Sequence, residues 1–147
     1  MMRYVAAALV VILVIGDRTI AQEPSQEERQ VRFWANIKKG LTGSAGDAYW
    51  DALKGANLPG GANGLDSFEG MLVSSAPADH PNEFLVAMDA NDTPEVLLKL
   101  NGTLERPLQR GTPIRFEGVA VAYTRDPFQL TLQVQTVNRA KTDEKKN

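Results

Sequence analysis

The pattern of apolar and polar positions along the chain changes period three times. Met1, Met2 and Arg3 precede an unbroken apolar run over residues 4–16, and residues 17–22 then turn polar. Residues 25–39 follow a helical period that places Val31, Trp34, Ile37 and Leu41 on one broad face. Ser25 and Glu28 have the spacing of a capping box, acids fill the first turn, and Gly40 is expected to end the helix. A second, shorter helix is expected over residues 47–55, with Ser44 or Gly46 near its cap and Tyr49, Trp50 and Leu53 as its apolar side. Residues 55–64, dense in Gly, Asn and Pro, then read as a flexible linker.

After Asp66 the period becomes two, which predicts strands over residues 68–74, 83–88, 95–100, 112–123 and 128–137. Turn-forming clusters separate them at residues 77–82, 89–94, 101–111 and 125–127. In the last strand Phe128, Leu130, Leu132 and Val134 alternate with Gln129, Thr131, Gln133 and Gln135, giving one core face and one wet face. In the fourth, Ile114 and Phe116 alternate with Arg115 and Glu117 until Gly118 interrupts, as a glycine does at a bulge or a barrel bend.

These periods divide the chain into a signal peptide over residues 1–21, a helical segment over 22–56, a Gly-rich linker over 57–66, a β-barrel over 67–138 and a disordered charged tail over 139–147. The signal peptide follows from the positive start, the short apolar run and the small residues of Thr19-Ile20-Ala21, which place cleavage between Ala21 and Gln22. The apolar run is shorter than the roughly 20 residues a spanning helix needs. After cleavage no membrane span is expected, and localisation is periplasmic or extracellular. The fold class is α+β: an N-terminal helical segment followed by a small five-stranded antiparallel barrel.

The order of these strands resembles the OB-fold. Gly111-Thr112-Pro113-Ile114-Arg115-Phe116-Glu117-Gly118-Val119 looks like its passage from third to fourth strand, and Glu69-Gly70-Met71-Leu72-Val73-Ser74 is similar to its first strand. The mature chain also resembles a group of uncharacterised exported bacterial proteins with a tRNA-anti-like barrel. That likeness is carried by Gly40-Leu41-Thr42-Gly43-Ser44, Pro94-Glu95-Val96-Leu97-Leu98-Lys99-Leu100, and Phe116-Glu117-Gly118-Val119 followed by Asp126-Pro127-Phe128. The resemblance implies the barrel; the tRNA-binding label that some relatives carry is a fold label, and fold does not imply function.

Charge and chemistry narrow the function further. The net charge is −2, and the basic pairs Lys38-Lys39 and Lys145-Lys146 make no stripe, so nucleic acid is not an expected partner. There is no cysteine, and His80 is the single histidine, set between Asp79 and Pro81 as an exposed turn residue. Zinc and iron sites therefore lack ligands, and no cofactor is expected. Asp89-Ala90-Asn91-Asp92-Thr93-Pro94-Glu95 spaces oxygen ligands as calcium loops do, but lacks the central glycine of an EF-hand. Asn91-Asp92-Thr93 and Asn101-Gly102-Thr103 are formal glycosylation acceptors.

The leading expectation is a noncatalytic binding or adaptor module, not an enzyme, whose partner is an envelope protein or a glycan. Trp34, Tyr49 and Trp50 are its partner-binding residues if their stripe is not spent on core packing. The alternatives are a hydrolase pairing Asp126 or Glu117 with Asp89 or Asp92, and a barrel that binds nucleic acid or another anionic polymer.

Overall fold

The computed structural model describes residues 23–89 and 92–140. The apolar run, the Ala21/Gln22 cleavage site, Ala90 and Asn91, and the charged tail beyond residue 140 lie outside the described residues. Among the described residues two helices, α1 (Gln26–Thr42) and α2 (Gly46–Leu53), precede a curled, mixed sheet of eight strands, an α+β arrangement with a barrel-like domain. The strands are β1 (Asn57–Leu58), β2 (Phe68–Ala76), β3 (Glu83–Ala87), β4 (Pro94–Leu100), β5 (Pro113–Phe116), β6 (Gly118–Arg125), β7 (Phe128–Val134) and β8 (Asn138–Arg139). Their order across the sheet is β1-β6-β7-β4-β3-β2-β5-β8.

The eight strands replace the expected five for a local reason. Glu117 alone separates β5 from β6, and the two halves of this bent path pair with different neighbours: β5 with β2 and β8, β6 with β1 and β7. At the bend, a Cβ on Gly118 would stand 2.6 Å from the Gln133 carbonyl oxygen, so only glycine lets the two backbones approach this closely. A further bulge between Ala120 and Ala122 bends β6 again. The sheet is also mixed where an antiparallel barrel was expected. β4 and β7 run parallel, Val96 opposite Leu130 through Leu100 opposite Val134, because β5 and β6 supply the long crossover that a parallel pair requires.

Helix α1 starts as its sequence predicts, with Glu28 N–H donating to Ser25 Oγ and Ser25 N–H donating to Glu28 Oε1, both at 3.1 Å. It runs two residues past Gly40. Trp34, Ile37 and Leu41 are buried against the sheet, but Val31 is 62% exposed and does not belong to that face. At about 100° per residue, Gln30 lies on the axis of the stripe and Val31 nearly a quarter-turn off it. The Gln30 amide accordingly meets the backbone of β2, donating to the Glu69 carbonyl at 2.7 Å and accepting from the Glu69 N–H at 2.8 Å. It occupies the edge of β2 just beyond the last β3 pairing, Met71 opposite Ala87. Helix α2 begins at Gly46, with Ala45 at its cap and no side-chain capping bond.

Helices and sheet share one core. Trp34 meets Phe68 edge-on at 5.8 Å and Phe128 at 5.9 Å, and Phe68 meets Phe116 at 5.7 Å. These rings come from the start of β2, the end of β5 and the start of β7, so α1 covers that end of the curled sheet. Residues 57–66, expected as a linker, are tied into the body. β1 pairs with β6, Leu58 and Leu65 are buried, and Asn63 Nδ2 donates to the Arg29 carbonyl at 3.0 Å. The glycines there serve tight turns: Gly60, Gly61 and Gly64 have φ of 57°, 85° and 76°. Arg139, placed by sequence in the charged tail, belongs to β8, and Thr131, expected on the wet face, is buried between Leu97 and Ala122 in a strand paired on both edges.

The Gly118 contact gives a direct test. Gly118→Ala should destabilise the fold by about 1–3 kcal/mol, the usual cost of overpacking, whereas Glu117→Ala, at an exposed neighbour, should change stability by less than about 0.5 kcal/mol. Equal urea midpoints for the two variants would contradict the close approach.

Candidate functional site

An open groove of about 1040 Å³ lies between the first half of α1 and the sheet. Gln26, Glu27, Gln30 and Val31 form its helical wall, β2 contributes Glu69, Gly70 and Met71, and Pro113 and Arg115 come from β5. Ala87, Met88 and Asp89 close the side where β3 leaves β2. A smaller hollow of about 200 Å³ continues along α1 to Trp34, Lys38 and Glu95, sharing Gln30, Val31, Met88 and Asp89 with the first.

The groove follows from local sequence. Alternation along β2 turns Phe68 and Leu72 inward and Glu69 and Met71 outward, so an apolar Met71 stands exposed at 43%. Val31 faces the groove because the helical period carries it off the buried stripe. Among the described residues the large hydrophobic side chains that remain exposed are Val31, Met71 and Val121, and the first two line this groove. Arg115 and Glu69 form an ion pair across it at 2.7 Å.

At the far end of the trough, Trp34 Nε1–H donates to Glu95 Oε1 at 2.8 Å, and Lys38 Nζ donates to Glu95 Oε2. Trp34 and Lys38 are one turn apart on α1 and reach the same carboxylate on β4. Lys38 Nζ also sits 5.9 Å from the centre of the Phe128 ring. Glu95 is buried, so its charge is matched by these two donors rather than by water. Glu95, the last oxygen-bearing residue of the segment 89–95 whose spacing is that of calcium loops, is turned onto the helix.

Of the partner residues expected from the sequence, Trp34 lines the smaller hollow, and Tyr49 and Trp50 lie on α2. Trp34 is inside the helix–sheet interface. Tyr49 and Trp50 are half-buried on α2; Trp50 packs on Tyr123 at 5.0 Å, and the Tyr49 ring covers Gly40 so closely that a Cβ there would lie 2.4 Å from it. Burial pushes the Tyr49 hydroxyl above its ordinary pKa. The neighbouring Arg125 guanidinium is raised above its ordinary value, chiefly by its hydrogen bond to Tyr123 and the charge on that group, and further by Asp47 at 3.3 Å.

The carboxylates weighed as a hydrolytic pair do not meet in a cavity. Asp89 lines the groove, Asp92 pairs with Arg110 at 3.4 Å, and Glu117 and Asp126 are exposed and line neither hollow. His80 is exposed in the turn after β2, 3.6 Å from Asp79. Among the described residues no group of three or more His, Cys, Asp or Glu side chains is placed to hold a metal ion, and no helix is long and apolar enough to cross a membrane. The groove's apolar members escaped the sequence reading. Met71 was nonetheless marked by its outward phase in β2, and Val31 by its offset from Trp34, Ile37 and Leu41.

Comparison with known proteins returns no match to a family model, a curated protein or a solved structure.

The half-buried Tyr49 hydroxyl sets a sign for pH dependence. The folded state keeps a proton that the unfolded state releases above about pH 10, so stability falls as pH rises from there. Between about pH 9 and pH 11, Tyr49→Phe should flatten part of this fall in the urea midpoint. A slope unchanged by the substitution would contradict the burial of that hydroxyl.

Proposed function

We propose that this chain is an exported, noncatalytic binding module of the cell envelope, that its barrel is of the OB type, and that it binds through the groove between α1, β2 and β5. The observation that carries the binding reading is that two of the three exposed large apolar side chains among the described residues, Val31 and Met71, cluster in one hollow. Apolar surface left exposed in a polar-rimmed groove is characteristic of interaction sites. The noncatalytic reading rests on the scatter of Asp92, Glu117, Asp126 and His80, the groups weighed for catalysis, over separate exposed positions among the described residues.

The OB reading is supported by how the eight strands group. β1 and β2 both pair with the bent β5–β6 path on one side, and β7 and β8 pair with it on the other. The bent β5–β6 path stands near both ends of the strand order, which supports a sheet curled toward closure as in a barrel of this type. In this arrangement α1, arriving from the N-terminus, covers the barrel end. Export rests on the signal-like first 21 residues and the cleavage site at Ala21/Gln22.

Site-specific photo-crosslinking in the exporting cell tests the binding reading. A crosslinker at position 31 or 71 should trap a discrete product, whereas one at Val121, a comparably exposed apolar position lining neither hollow, should not. Equal trapping at all three positions, or none at 31 and 71, would count against the groove.

A further inference from the structure

We infer that the groove's occupant is an extended peptide segment carrying both cationic and apolar side chains. The inference rests on the groove being the binding surface and adds the chemistry of its partner. Val31, Met71, Met88 and Pro113 give an apolar lining, and unbranched Met side chains adjust to varied apolar partners. The rim is acidic. Glu27, Asp66 and Asp89 stand along it, and the one cation that lines it among the described residues, Arg115, is already held by Glu69 at 2.7 Å. Glu27 and Asp66 have no ion-pair partner among the described residues.

This charge excludes the other polymers. A phosphate backbone or an anionic glycan would bring its charge against Glu27 and Asp66, with no unpaired cation lining the groove among the described residues to meet it. Stacking on a sugar or a base needs an aromatic face, and among the described residues no Phe, Tyr or Trp lines the main groove. A volume of about 1040 Å³ with a 200 Å³ extension along α1 also suits an elongated ligand better than a compact one, since small-molecule pockets run to roughly 1,000 Å³. Apolar side chains of the peptide insert between Val31 and Met71, and Lys or Arg side chains reach Glu27 and Asp66. Each exposed ion pair adds little by itself. The apolar contact therefore supplies the affinity, and the rim selects the sign of the partner.

Met71 and Met88 line the groove and are the only methionines among the described residues, so their ¹³C-methyl resonances report on it directly. The full chain is titrated with a synthetic Lys/Leu peptide, a Glu/Leu peptide of equal length and a single-stranded oligonucleotide. The Lys/Leu peptide should shift both methyl resonances, with an affinity that falls as salt rises. The double variant Glu27→Lys/Asp66→Lys should weaken it about tenfold, and the shape-preserving Glu27→Gln/Asp66→Asn about threefold, with melting temperatures checked for both. If the Glu/Leu peptide or the oligonucleotide shifts the same methyls as strongly, the cationic assignment is overturned while the groove remains a binding surface. A Lys/Leu peptide that binds without moving them, or a panel that moves neither, overturns the assignment of this partner. Crosslinking at positions 31 and 71 then decides the binding reading independently.

Discussion

The position of helix α1 depends on one buried carboxylate. Glu95 stands at the start of β4, with Trp34 donating to one oxygen and Lys38 to the other. A charge removed from water at this point is tolerable only with both donors in place, and both come from a single face of α1. The bond therefore fixes the helix in rotation as well as in position. With Trp34 held, its ring meets Phe68 and Phe128, and the helix closes the end of the curled sheet. The same rotation turns Gln30 onto the open edge of β2 and leaves Val31 outside. The groove is thus a by-product of how the helix is docked.

What the sequence revealed and what it concealed divide along local and non-local lines. The capping box of Ser25 and Glu28 was legible because it involves residues three apart, and Phe128, Leu130, Leu132 and Val134 were legible because period two needs no partner strand to be seen. Gly118 was recognised as a bend, yet its consequence required knowing that Gln133 lies opposite. The parallel pairing of β4 with β7 and the capture of residues 57–66 by β6 likewise depend on contacts between distant parts of the chain. A glycine-rich segment has the same composition whether it is loose or folded into tight turns.

The site itself was the least legible part. A Trp on an amphipathic stripe reads first as core and second as partner surface, and the hydrogen bond that anchors Trp34 is made to Glu95, sixty-one positions away. In the sequence Glu95 reads only as the first residue of a strand after a turn, because its sequence neighbours are Asp92 and Pro94 rather than the helix it faces. Val31 was grouped with the core because it is apolar, although helical geometry sets it to one side and gives the central position to a glutamine. A polar residue on the buried axis of a helix is a signal worth seeking, since it needs a partner and often finds one in an unpaired strand edge.

The most direct test of this account is a double-mutant cycle on Trp34→Phe and Glu95→Ala, read from urea unfolding of each single variant and the pair. If the buried carboxylate fixes the helix, the two substitutions should couple by on the order of 1–3 kcal/mol, as expected for a hydrogen bond to a charged group. Effects that add to within about 0.5 kcal/mol would show the two residues to be energetically independent and would contradict it.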